Sequence, residues 1–161
     1  MTSSSQHPDV HALVHRLFRA LDAREFTPGW MRAFVTADAR METPLGTTEG
    51  DAAARAAEEA LGRYDRTQHI ASGILTEVDA GAGRATASWN ALMTHVHHDD
   101  TLKALGPGAG PLFTVGGHYE AELRRTDEGW RFSRVCVRPV WTTGQPPPGI
   151  TGGPGASAGS A

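Results

Sequence analysis

The side chains able to do chemistry are concentrated in the middle of the chain. His95 and His97 stand two apart in a long alternating segment, so on a strand they project from the same face as Trp89 and Met93. An imidazole in that mainly apolar surround is desolvated, which lowers its pKa and favours the neutral form able to accept a proton. His69 shares a face with Ala71 and Gly73, two small residues that leave room in front of the ring, as a ligand pocket requires. Plain structural readings stand beside these: a satisfied core histidine or a strand end for His95 and His97, a capping histidine at a helix–strand junction for His69. Asp22, just past an apolar helical run, matters if it points inward to a histidine, because a carboxylate bonded to imidazole fixes the tautomer and raises its basicity. Tyr119 alternates with Ala121 and Leu123 and is either a core residue or a hydroxyl donor to a substrate oxygen.

His-x-His on one strand face is also a metal-ligand spacing, with Asp99 or Asp100 as a further donor. Both aspartates fall where the strand ends and no Glu completes the set, so the expectation is no metal. Nor does the sequence carry a Gly-x-Gly-x-x-Gly, phosphate-loop or nucleophile-elbow pattern, and no cofactor is expected. The single cysteine, Cys136, excludes an internal disulfide and a cysteine-built zinc site. A net charge of −3, with basic residues scattered along the chain, argues against nucleic acid as a partner. No segment approaches the roughly 18 apolar residues of a membrane span. Met1–Pro8 has neither a basic segment nor an apolar core, so a cytoplasmic protein is expected.

These side chains need elements to hold them. With 161 residues the chain is the size of one domain able to bury roughly 68–70% of its unfolded surface. Val10, Leu13, Val14, Leu17, Phe18 and Leu21 recur at helical spacing and predict a helix over about 8–23, opened by Pro8 and Asp9. Thr27-Pro28 predicts the cap and first residue of a short second helix through Trp30 and Phe34, and Asp51 the cap of a third, alanine-rich helix over 52–62. A short strand is predicted at 39–43. Strands at 67–78 and 84–98 flank the turn at 79–83, and strands at 112–126 and 130–141 flank Asp127-Glu128-Gly129. Helices followed by antiparallel strands predict an α+β domain with three N-terminal helices against one face of a curved antiparallel sheet. The first seven residues and the Gly/Pro/Ser/Ala-rich stretch from 144 to 161 are expected to be disordered, leaving one folded domain over 8–143.

The order of these elements, together with Thr67-Gln68-His69 and the ending Gly129-Trp130-Arg131-Phe132 and Arg138-Pro139-Val140-Trp141, resembles the nuclear transport factor 2-like superfamily and, within it, the SnoaL-like branch. The resemblance covers about residues 8–143 and implies a cone-shaped α+β barrel with a deep pocket between helices and concave sheet. Scytalone dehydratase and the bile-acid dehydratases have the most similar enzyme pattern. It implies a catalytic carboxylate at Asp22 and imidazoles at His69 and His95, while the position of the dehydratase's Asn falls near Tyr119, a departure. The site is therefore expected to consist of His69, His95, Asp22 and Tyr119, with substrate contacts from Trp30, Met41, Trp89, Met93, His97, Phe113 and Arg138.

The resulting expectation is a cofactor-independent dehydratase, cyclase or isomerase. Its substrate would be an apolar oxygenated small molecule such as a polyketide- or steroid-like compound. His69 would take a proton alpha to a carbonyl, and His95 would protonate the leaving hydroxyl or hold the enolate oxygen; the two roles are interchangeable. A non-catalytic small-molecule-binding protein of the same fold is the alternative. Leu92, Val96, Val135 and Val137 on the second sheet face lead to the expectation of a homodimer. The Gly/Pro-rich segment 99–111 is expected to be a lid at the pocket mouth.

Overall fold

In the computed structural model, which describes residues 6–150, six strands form one open, twisted sheet in the order β2-β1-β6-β5-β4-β3. The elements are α1 (Gln6–Ala23), a single 3-10 turn (Trp30–Ala33), β1 (Val35–Thr43), β2 (Gly46–Glu49), α2 (Asp51–Gly62), β3 (Tyr64–Asp79), β4 (Arg84–His97), α3 (Asp99–Leu105), β5 (Leu112–Thr126) and β6 (Gly129–Thr143). The architecture is α+β as the sequence predicts, but the sheet is mixed, because β1 runs parallel to β6 while every other pair is antiparallel. The helices are not all N-terminal either, since α3 lies between β4 and β5.

α1 forms because Val10, Leu13, Val14, Leu17 and Phe18 make one apolar stripe, and all five are buried against the sheet. It ends at Arg24 (φ 56°), where the N–H of Glu25 reaches the carbonyl of Ala20 and that of Arg24 reaches Leu21. Such a left-handed end normally calls for glycine. The predicted second helix shrinks to the turn at Trp30, opened by left-handed Gly29 rather than capped by Thr27. Gly50, not Asp51, caps α2, and Asp51 sits in the first turn where its charge suits the helix dipole.

Alternation along β4 is as the sequence predicts: Ala85, Ala87, Trp89, Ala91, Met93, His95 and His97 all face inward. Register shifts in other strands alter what they present beside it. One lies between Tyr64 and Arg66 and brings Tyr64 to the inner face. Another lies between Ser72 and Leu75, where Gly73 takes φ +61° and inward pointing passes from His69 and Ala71 to Ile74, Thr76 and Val78. On β6 a shift opposite Glu122 and Leu123 turns Val135 and Val137 inward, so the apolar second face predicted from them is not there; Leu92, 39% exposed, and Val96 remain outside.

Segment 99–111 is not one irregular loop, since its first seven residues form α3, with Asp99 and Asp100 in the first turn and Lys103 in the last. At the other end of the domain, 144–150 folds back on the sheet: Pro147 is buried and the Gln145 carbonyl accepts a hydrogen bond from His97 Nε2 at 2.9 Å. The expected disorder at 1–5 and 151–161 lies outside the described residues. No described helix is long and apolar enough to cross a membrane.

Candidate active site

The site begins at the C-terminal end of α1. Asp22 is held there by β3: Thr67 Oγ1 donates to Oδ1 at 2.9 Å, and the His69 backbone N–H donates to Oδ2 at 2.8 Å. His69 Nδ1 lies 2.6 Å from Oδ1, and since a carboxylate only accepts, this nitrogen carries the hydrogen and Nε2 is the basic one. Burial pushes the Asp22 carboxyl upward, but its hydrogen bonds with the His69 side chain and backbone outweigh this and hold it below its ordinary value. The His69 side chain is 5% exposed.

Arg24, which the sequence reading passed over, ties this corner together. Its guanidinium donates to the carbonyls of Leu21 (2.9 Å) and Leu61 (3.1 Å) and to Thr67 Oγ1 (3.0 Å), tying the ends of α1 and α2 to β3. Those bonds offset the cost of a non-glycine residue in left-handed backbone.

On β4, Thr67 pairs with His95 and His69 with Met93. His95 lies edge-on to His69, ring centroids 6.0 Å apart. Its Nδ1 is 3.0 Å from the carbonyl of Phe113, an acceptor, so Nδ1 carries the hydrogen and Nε2 keeps a free lone pair. Desolvation drives the pKa of His95 down to about 4, against which the Phe113 bond pulls only partly, so this ring is neutral at pH 7.

His95 looks into a cavity of about 300 Å³. One wall is α2, through Ala53, Ala56, Ala57, Ala60 and Leu61. Another is β1 and the turn after it, through Met41, Pro44 and Leu45, and the floor is Tyr64, Met93, Phe113, Val115, Tyr119 and Val137 of the sheet; Ile150 closes one side. Among the described residues, no Asp, Glu, Lys or Arg lines it. His69 is not among the walls, for its cross-strand neighbour Met93 lies on the cavity side. Met93 accepts the Tyr119 hydroxyl hydrogen at Sδ, 3.1 Å away, and its Cε fills the space left by Gly117, where a Cβ would come within 2.8 Å.

Of the residues expected to contact substrate, Met41, Met93 and Phe113 line this cavity. Four others do not. Trp30 donates its Nε1 hydrogen to Glu58 at 2.9 Å and packs on Phe26 behind α2. Trp89 lies beneath the site, stacked on Tyr119 with centroids 5.0 Å apart. His97 is buried behind Tyr64 and bonded to Gln145. Arg138 is on the outer face, its side chain 64% exposed and paired with Glu120 at 3.4 Å. Residues 99–111 contribute nothing to the cavity, so the expected lid is not at its mouth. Tyr64, which sequence reasoning missed, is a wall residue and lies against His95, ring planes tilted by 36° and centroids 4.4 Å apart. Its signal was masked by the register shift at the start of β3, because strict alternation from His69 points position 64 outward.

Solved structures with this fold are numerous. A Kribbella flavida protein, Kfla4162, superposes with a TM-score of 0.77 at 22% identity, covering 88% of this chain and 95% of its own. A scytalone dehydratase-like protein from Novosphingobium aromaticivorans DSM 12444 gives 0.68 at 19% identity, with 89% and 93% covered. Hexachlorocyclohexane dehydrochlorinase LinA-type3 from Novosphingobium barchaimii LL02 gives 0.69 at 19% identity, with 95% and 100% covered. No curated protein matches the sequence. The SnoaL-like domain family matches residues 2–135, most of the chain, and this chain belongs to that family.

Proposed function

We propose that the protein is a cofactor-independent acid–base enzyme, a dehydratase, cyclase or isomerase, acting on an uncharged, mainly apolar, oxygenated small molecule such as a polyketide- or steroid-like compound. The observation that carries this reading is the Asp22–His69 pair, 2.6 Å apart, next to a neutral His95 that faces a cavity free of charged side chains. His69 Nε2 takes a proton alpha to the substrate carbonyl, and Asp22 stabilises the imidazolium formed. The same proton then leaves with the departing hydroxyl in a dehydration, or returns to another carbon in an isomerisation. His95, neutral and with Nε2 unoccupied, accepts the hydrogen of a substrate hydroxyl. Two of the similar structures are named for eliminations, a dehydration and a dehydrochlorination, which supports proton abstraction as the shared step.

One observation favours a second reading, a non-catalytic binder: Met93 lies on the cavity side of His69. Exchange of the α-hydrogens of 2-tetralone, a neutral bicyclic ketone, in deuterated buffer followed by NMR separates the two. The enzyme reading expects acceleration by the native protein and a loss of about 10²-fold or more in folded His69→Ala. No acceleration over buffer, or an equal rate in the variant, would leave binding alone.

A further inference from the structure

We infer that Tyr64 is the group that holds the substrate's carbonyl oxygen in the cavity, donating its phenolic hydrogen to that oxygen. The inference rests on reading the cavity as a site for a neutral oxygenated molecule. An uncharged wall with no Lys or Arg can stabilise a developing enolate oxygen only by hydrogen bonds, and in such a dry site a positioned donor is worth more than in water.

Few donors are available for this. The hydroxyl of Tyr119, the tyrosine singled out by the sequence, already donates to Met93 Sδ at 3.1 Å, and its ring is stacked on Trp89. His95 gives its Nδ1 hydrogen to the Phe113 carbonyl and presents an acceptor. The Thr43 hydroxyl donates to the Gly46 carbonyl within the β1–β2 turn. Tyr64 remains. It lines the cavity, its ring lies 4.4 Å from His95, and no hydrogen bond to another described residue engages its hydroxyl. Burial holds the phenol protonated, its pKa pushed up to about 12, so it is a donor throughout the neutral range. Both groups lie against His95: the Tyr64 ring is tilted 36° to it with centroids 4.4 Å apart, and the His69 ring is edge-on with centroids 6.0 Å apart.

The test is equilibrium binding of two probes of one shape, 2-tetralone and its oxygen-free counterpart tetralin, to the native protein and to Tyr64→Phe. The native protein is expected to prefer the ketone, and Tyr64→Phe to lose about tenfold in ketone affinity with tetralin affinity unchanged. Parallel loss of both probes means that Tyr64 is only a wall, and overturns the inference. So does an unchanged ketone preference, a loss seen in Tyr119→Phe instead, or a native protein that binds neither probe. Because the readout is affinity, it stands apart from the exchange experiment: a protein that binds 2-tetralone through Tyr64 but never exchanges its hydrogens keeps this inference and defeats the enzymatic one.

Discussion

Two helices cover the concave face of the sheet, and they fill it with different volumes. α1 lays Val10, Leu13, Val14, Leu17 and Phe18 on the strands, and below them Phe18 meets Trp89 and Tyr119 edge-on, with centroids 6.3 and 5.5 Å apart. α2 lays Ala53, Ala56, Ala57 and Ala60 over the same strands farther along, and the space that larger side chains would occupy is the cavity. Backbone geometry alone does not place the site; side-chain volume does. Close-packed interiors leave few voids, so a row of alanines facing Met93, Phe113 and Val137 is an opening maintained at a cost in burial.

The sharpest way to test this contrast is to shorten a side chain on the full side. Leu13 is wholly buried and among the largest enclosed side chains, so Leu13→Ala should destabilise the domain by about 2–5 kcal/mol, read from urea unfolding. A loss under about 1 kcal/mol would mean that the α1 end is as loosely filled as the α2 end.

A chemical difference accompanies the packing one, because the open end buries His95, whose pKa is strongly lowered. Unfolded, His95 titrates near 6.5; folded, it stays neutral down to about 4. Between those values the unfolded chain binds the extra proton, so acidification favours unfolding. The stability this histidine contributes is complete above pH 6.5 and declines by about 3 kcal/mol as pH falls to about 4. Unfolding curves of His95→Gln should lack that decline. Asp22 acts in the same direction but at lower pH, because its carboxyl is held below its ordinary value. Equal slopes for both proteins between pH 6.5 and 4 would show that His95 is solvated in the folded state.

The sequence was most legible where alternation runs unbroken. On β4 every inward residue from Ala85 to His97 is where a period of two puts it, and Asp22, His69 and His95 come together as the resemblance implies. It was least legible at irregularities. One extra residue in a strand inverts the parity of everything beyond it, and such shifts hid Tyr64 at the start of β3 and sent Val135 and Val137 to the wrong face of β6. The alanines of α2 carried another kind of blindness. From sequence they report helix propensity; that their small size also opens the site follows only from what lies opposite them. Trp30 and Arg138 were misplaced for the converse reason, since residue type suggested a pocket wall where packing against α2 and pairing with Glu120 decided otherwise.

The alanine row also permits the most selective test of the contrast. Ala57 is half-buried on α2 and faces the cavity. Replacing it with leucine adds three carbons that project into space already empty, on a helix that tolerates leucine almost as well as alanine. On the α1 side an added group of that size would force neighbours off their rotamers at about 1–3 kcal/mol. Here the methyl groups gain contacts, so Ala57→Leu is expected to fold with stability within about 1 kcal/mol of native. The same side chain removes volume from a cavity of about 300 Å³ and should weaken 2-tetralone and tetralin equally, about tenfold, since it takes shape and not a hydrogen bond. Unchanged affinity for both probes would place the ligand elsewhere. A large loss of stability would show the space beside α2 to be as tightly filled as that beneath α1.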